Sequence, residues 1–340
     1  MTLPKTHRRV VLANRPNGMV SADNFRLEEV SIPEPRPGQV LVRQIIMSLD
    51  PYMRGRMNSV ATYAPNIQIG EVMTAGGVGE VAVSLHPDFK VGDIVEGTLG
   101  WQEYSTPPLQ RLRKIDRALA PISTANGVLG MPGMTAYFGL LHVGEPKPGE
   151  TVVVSAASGA VGAIVGQIAK IMGCRVIGIA GSEAKCHYVV DDLGFDACIN
   201  YKTDDLDVAL KDKAPTGINV YFENVGGNIF DAITRNLAVG ARIAVCGGIA
   251  EYNLTEPELV PRNTRFFIPM RARMQGFLVY DFYHLWPDAL RHMAKWIDDG
   301  RIQYKEDWIN GLENAPAGFV KLFQGDNFGK LLVRIAPDPT

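Results

Sequence analysis

The stretch that most constrains this chain is TVVVSAASGAVGAIVGQIAKIMGCRVIGIAGS, residues 151–182. An apolar run (151–157) reads as a buried strand. It breaks into small residues and resumes as an apolar helix-like stretch over 160–173, which Gly173 ends. Residues 157–162 spell A-x-G-x-x-G, with Ala157, Gly159 and Gly162 in the pattern positions and Ala160 and Val161 between the glycines. A strand that turns this tightly into a helix points the first helical N–H groups at a pyrophosphate. A side chain at Gly159 would block the approach of the ligand to the backbone, and one at Gly162 would push the helix off the strand. The motif follows a predicted strand and precedes a predicted helix, the context that gives it meaning. The plain alternative is close helix–strand packing without a ligand.

The segments that follow keep the same rhythm. RVIGIAG (175–181) is a strand, and SEAKCHYVVDDLG (182–194) a helix with Ser182 as N-cap and Gly194 at its end. ACINY (197–201), NVYFENVG (219–226), ARIAVCGG (241–248) and MQGFLVY (274–280) read as further strands. Helices are expected near 204–213, 228–238 and 284–299. Alternation of this kind predicts a doubly wound parallel sheet with helices on both faces. The first third differs. GQVLVRQIIMSLDP (38–51), GEVMTAGGVGEVAVS (70–84) and KVGDIVEGTLGWQEYSTPP (90–108) are β-like runs punctuated by Gly and Pro, as in a small barrel or sandwich. The tail GKLLVRIAP (329–337) is again strand-like and could rejoin that first domain. The expected division is 1–129 with 301–340, against 130–300.

Several function classes are disfavoured by composition. A net charge of −2 with 21% charged residues offers no electrostatic case for nucleic acid or an anionic membrane. No run reaches the roughly 18 apolar residues needed to span a bilayer, and VVLA near the N-terminus is too short for a signal-peptide core. A cytoplasmic protein is expected. Cys174, Cys186, Cys198 and Cys246 form no CxxC pair. The twelve-residue spacing of the first three reads as coincidence, because each falls in a different predicted element.

The end of the second strand bears on the choice of nucleotide. An acid there would accept from a ribose 2′-hydroxyl. This chain has Gly181-Ser182, then Glu183, then Lys185. Gly181 leaves room for a 2′-phosphate, Ser182 can donate to it, and Lys185 supplies charge. Tyr201, at the end of the third strand, could add a hydroxyl. This points to NADPH/NADP+. Glu183 as a ribose contact stays open, as do Ser182 as a plain N-cap and Lys185 as a plain solvated helix residue.

A barrel-like first domain joined to a dinucleotide-binding domain resembles the medium-chain dehydrogenase/reductase superfamily. Many members bind catalytic zinc through Cys and His. Here the corresponding stretches MSLDPYMRG (47–55) and IGEVMTAGGVGE (69–80) contain neither, and no Cys precedes residue 174, so no metal site is expected. DPYMRGRM (50–57), GMPGMTAYFGL (130–140), YFENVGG (221–227), CGGIAEYN (246–253), GLENAPAGF (311–319) and GDNFGK (325–330) narrow the resemblance. They look like the zinc-free double-bond reductases, among them prostaglandin, plant alkenal and bacterial curcumin reductases. The resemblance implies a GroES-like β-barrel catalytic domain, a Rossmann domain and a homodimer, joined through sheet-edge strands near 273–279.

It also implies a reaction, the NADPH-dependent reduction of the C=C bond of an enone or enal. Hydride reaches the β-carbon and negative charge develops on the carbonyl oxygen. A donor placed there stabilises the transition state more than the ground state. Tyr252 is the first candidate for that donor, since a phenol with its ordinary pKa of about 10 stays protonated at neutral pH. Tyr52 is the second. Tyr63 and Tyr280 are weaker pocket candidates. Arg54 could bind a substrate carboxylate or serve as a structural ion-pair partner. For the cofactor, the resemblance adds Asn224, Met134, Thr135, Cys246, Gly247, Phe277, Val279 and Asn327. Asn327 could equally be a turn residue. Cys246 as a nucleophile is disfavoured, because no His lies near it in sequence and hydride transfer needs none. The rivals are an NADPH:quinone oxidoreductase on the same scaffold and a non-enzymatic NADPH-binding protein.

Overall fold

The structure is a computed structural model that describes residues 3–60, 62–260 and 262–338. Residues 1–2 and 339–340, the outer ends of the first expected domain, lie outside the described residues. The chain divides into two compact units, 1–127 with 306–327 and 331–340, and 128–305 with 328–330.

The first unit opens with the antiparallel pair β1 (Thr6–Leu12) and β2 (Phe25–Ser31). Then come β3 (Val40–Ser48), helix α1 (Tyr52–Arg56), β4 (Gly76–Ser84), β5 (Ile94–Thr98), β6 (Tyr104–Ser105) and β7 (Arg113–Lys114). In β3, VLVRQIIMS, every residue but Arg43 is buried, the mark of a strand covered on both faces.

The second unit starts with α2 (Met131–Phe138). Strands and helices then alternate through β8 (Thr151–Ser155), α3 (Gly162–Ile171), β9 (Arg175–Ala180), α4 (Glu183–His187), β10 (Ala197–Asn200) and α5 (Leu206–Lys213). They continue with β11 (Ile218–Glu223), α6 (Gly227–Arg235), β12 (Leu237–Val245), α7 (Phe267–Met270), β13 (Arg273–Gly276) and α8 (Trp286–Asp298). The six strands form one parallel sheet in the order β10-β9-β8-β11-β12-β13. The chain works outward from β8 in one direction and then in the other. The switch point therefore lies between β8 and β11, where such sheets place their ligands.

Alternate residues explain why both faces are covered. Val153, Ile177, Ile199, Tyr221 and Ile243 pack with Leu210 of α5 and Ile229 and Ile233 of α6. On the opposite side, Val220 and Phe222 of β11 lie against Gly144 and Gly139, in the helical turn that extends α2.

The chain then returns to the first sheet through β14 (Glu306–Asn310), α9 (Ala315–Gln324) and β15 (Lys330–Arg334). The resulting order is β14-β15-β3-β4-β5-β7, with β6 also on β3. Leu332, Val333 and Arg334 pair antiparallel with Ser48, Met47 and Ile46. The core beneath includes Trp101, Phe25 and Phe319, with Phe25 stacked on Trp101 at 5.2 Å between ring centroids.

Three expected elements differ. The helix expected over 228–238 stops at Arg235, because Leu237 is buried and pairs with Ile218 as the first residue of β12. The strand expected over 274–280 ends at Gly276. Phe277 turns its ring inward against Gly139 and Phe222, and Val279–Leu285 winds as a 3-10 helix. The helix expected over 182–194 widens after His187 into a π turn, Tyr188–Asp192, before Gly194. Among the described residues no helix is long and apolar enough to cross a membrane.

Candidate active site

The turn after β8 has the features the glycine pattern requires. Ala156 adopts a left-handed backbone conformation (φ +51°), and the Gly159 N–H closes back on its carbonyl at 2.9 Å. A Cβ at Gly162 would sit 2.3 Å from the Ala156 oxygen and 2.9 Å from its carbonyl carbon. Both are backbone atoms that cannot rotate away, so only glycine lets α3 begin this close. At Gly159 a Cβ would come within 3.1 Å of the same oxygen. Gly159 also forms a parallel bridge with Gly329, which brings the 328–330 segment alongside the turn. Asn327 immediately precedes that segment. The start of α3 is thus a tight backbone cradle with N–H groups at its mouth, which fits a pyrophosphate.

On the β9–β10 side, Gly181, Ser182 and Tyr201 come together. A Cβ on Gly181 would meet the Tyr201 ring at 3.0 Å and its hydroxyl at 3.1 Å, so the ring lies over Gly181. Ser182 caps α4, its Oγ accepting from the Lys185 N–H at 3.3 Å. This bond uses the oxygen as acceptor and does not consume the O–H donor, so cap and phosphate ligand are compatible roles. Glu183 is engaged elsewhere, accepting from Asn200 Nδ2 at 2.9 Å. That weakens its reading as a ribose contact.

On the β11–β12 side, a residue that sequence reasoning missed ties the strand ends together. The buried Glu223 accepts through Oε1 from the Gly226 N–H at 3.0 Å, the Val225 N–H at 2.5 Å and Ser155 Oγ at 3.2 Å. Its backbone carbonyl accepts from the N–H groups of Cys246 and Gly247 at 2.9 and 3.1 Å. Ser155 in turn accepts from Asn224, whose N–H reaches Oγ at 2.9 Å and whose Nδ2 reaches the Ser155 carbonyl at 2.8 Å. One residue therefore joins the ends of β8, β11 and β12. Burial raises the Glu223 carboxyl above its ordinary range, against the opposing pull of the Val225 and Gly226 N–H groups. The only sequence signal was an acid at the end of an apolar strand.

Tyr252 lies just beyond β12. Its hydroxyl oxygen accepts from the Gly248 N–H at 3.4 Å, and a Cβ on Gly247 would be 2.9 Å from it. Burial, aided by Glu223, pushes the Cys246 thiol up to about 12. It is therefore neutral at pH 7, which disfavours a nucleophilic role. Met134 is fully buried, and the Thr135 hydroxyl donates to the Met131 carbonyl at 2.7 Å. Val279 is buried and accepts from Trp286 Nε1 at 3.5 Å, whereas Tyr280 is exposed.

In the first unit, Tyr52 begins α1 and is partly buried against the core that includes Met53 and Met57. Arg54 is 3% exposed and donates to the Gly18 carbonyl at 2.9 Å and to Asn58 Oδ1 at 2.5 Å. The guanidinium is buried and ties the loop at Gly18 to the turn at Asn58. Tyr63 is exposed. Among the described residues no group of three or more His, Cys, Asp or Glu side chains comes together to hold a metal ion.

Comparison with known proteins agrees with this geometry. The family described as the N-terminal domain of oxidoreductase matches residues 8–115, and the zinc-binding dehydrogenase family matches residues 160–295. The NADPH-dependent curcumin reductase of Escherichia coli is 47% identical over 337 residues, covering 98% of each chain. The NADP+-dependent 2-alkenal reductase of Nicotiana tabacum is 45% identical, covering 97% of this chain and 98% of its own. Among solved structures, CurA from Vibrio vulnificus in complex with NADPH superposes with a TM-score of 0.93 at 45% identity, covering 97% of this chain and all of its own (100%). Cradle, switch point and near-full-length relatives together establish that the chain belongs to the medium-chain dehydrogenase/reductase superfamily, in its zinc-free double-bond reductase branch.

Proposed function

We propose that this protein reduces the C=C bond of α,β-unsaturated ketones and aldehydes with NADPH. The observation that carries the reading is the Tyr252 hydroxyl, held over the Gly247–Gly248 backbone beyond the C-terminal end of β12. The α3 cradle, Ala157–Gly162, holds the pyrophosphate. Ser182, Lys185 and Tyr201 take the 2′-phosphate, and Gly181, having no side chain, leaves room for the Tyr201 ring that lies over it. Asn224, fixed by Ser155 and through it by Glu223, orients the nicotinamide end. Met134, Thr135, Cys246, Gly247, Phe277, Val279 and Asn327 complete the cofactor site. When bound, NADPH supplies the hydride. The Tyr252 O–H donates to the carbonyl oxygen, where negative charge builds as the β-carbon is reduced. Tyr52 is the second candidate for that donor. Glu223 acts only through the groups it holds.

A panel of enones, enals and simple quinones tests the reading, run with NADPH and NADH on the wild type and on Lys185→Ala. Enones and enals should turn over clearly faster than quinones. The variant should raise KM for NADPH about tenfold, as expected for a lost charge-assisted hydrogen bond, with little change for NADH. Faster quinone turnover would replace the reaction, binding without any turnover would favour a non-enzymatic role, and equal effects on both cofactors would remove the phosphate assignment.

The protein is further read as a homodimer joined through β13. That strand forms one edge of the parallel sheet, and all four of its residues are exposed, which leaves an edge available for pairing. Sedimentation velocity should give twice the 37.1 kDa chain mass. A monomer at micromolar concentration would remove the proposal.

A further inference from the structure

The regular cysteine spacing, read as coincidence, acquires a different meaning in the fold. Cys186 on α4 and Cys198 on β10 sit on consecutive elements that pack together. Their sulfurs are 2.7 Å apart, with Cys198 donating to Cys186. Both are free thiols; Cys186 is buried and Cys198 partly exposed. Closing to a covalent bond of about 2.05 Å requires a movement of only about 0.7 Å. The two elements also carry the proposed phosphate ligands, with Ser182 capping α4, Lys185 adjacent to Cys186 in the chain, and Tyr201 directly following β10.

We propose that Cys186 and Cys198 form an oxidisable dithiol whose disulfide staples α4 to β10 and weakens the grip on the cofactor's 2′-phosphate. The oxidant is a small disulfide or a diazene. With a diazene, one thiol loses its proton and its sulfur adds to the N=N bond. The second sulfur then displaces that nitrogen. In sum two S–H bonds break, one S–S bond forms, and the two hydrogens reduce N=N to a hydrazine. A small disulfide serves equally, its own S–S bond being reduced to two thiols. Burial raises the pKa of both thiols, and the neighbouring carboxylates oppose ionisation, Glu183 at both sulfurs and Asp204 at Cys186. The pair therefore stays reduced under mild conditions and oxidises slowly when challenged. The bond pulls the middle of α4 toward β10, displacing Ser182 and Lys185 relative to Tyr201.

The consequence for the cofactor rests on the NADPH reading above; the bond itself does not. Full-length protein is treated with diamide, digested without reduction and mapped by mass spectrometry, and the NADPH and NADH affinities of oxidised and reduced samples are compared. Expected are a loss of about 2 Da, a Cys186–Cys198 linked peptide, and a three- to tenfold weaker affinity for NADPH with a smaller change for NADH, all reversed by dithiothreitol. Cys186→Ser and Cys198→Ser should each abolish the linked peptide. Absence of that peptide in the wild type, or adducts on Cys198 alone, would overturn the site. A linked peptide with unchanged NADPH affinity would overturn the coupling. If the Lys185→Ala effect persists in that case, the cofactor reading survives the loss of the coupling.

Discussion

Replacing Tyr252 with Phe is expected to lower the kcat for an enone roughly 10- to 100-fold while the Kd for NADPH stays within about twofold of wild type. The substitution removes one oxygen and keeps the ring. A hydrogen bond to a developing charge contributes about 1.5–3 kcal/mol, which sets that range. The bond is stronger in the transition state than in the ground state, so the loss falls on kcat rather than on substrate KM. The same oxygen accepts from the Gly248 N–H, but at 3.4 Å that bond is long, and its loss should leave the fold intact. Stopped-flow reduction separates the chemical step from cofactor binding. Wild-type turnover in the variant would move the enolate-stabilising role to another group, with Tyr52 next to be tested.

The second large effect comes from a single methyl group. Gly162→Ala should lower the thermal midpoint by several degrees and weaken NADPH at least tenfold. The added Cβ falls 2.3 Å from the Ala156 oxygen, inside any tolerable contact. Neither the left-handed turn at Ala156 nor the first turn of α3 can yield without moving the N–H groups at the mouth of the cradle. Overpacking of this kind costs about 1–3 kcal/mol, and a domain of this size loses roughly 2–4 °C per kcal/mol. Calorimetry and fluorescence titration with NADPH check both numbers. Unchanged values for both would mean that the turn is more plastic than its backbone contacts imply.

The parallel sheet was legible in the sequence because its strands are short apolar runs and the helices between them are closed by glycines such as Gly173 and Gly194, both with positive φ. The helix that stops at Arg235 was read too long because Asn236 carries no glycine or proline to mark the break, and strand pairing by Leu237 decided it. FLVY after Gly276 looked like strand, yet the inward packing of Phe277 against Gly139 depends on a residue more than a hundred positions away. The local geometry of the candidate site was legible wherever a motif carried it, as in the tight turn at Ala157–Gly162 and the Ser182 cap of α4. Glu223 and the Cys186–Cys198 contact were not, because their partners lie on neighbouring elements and only the fold brings them together.

The position of β8 in the middle of the sheet makes the site modular. Ser182, Lys185 and Tyr201 follow β9 and β10 on one flank, whereas Asn224, Gly247 and Tyr252 follow β11 and β12 on the other. Under the proposed assignment, the residues that choose between the two nicotinamide cofactors and those that handle the substrate carbonyl hang on opposite wings, with the central strand β8 between them. Lineages or engineers could therefore retune cofactor preference on one wing and substrate chemistry on the other, one at a time.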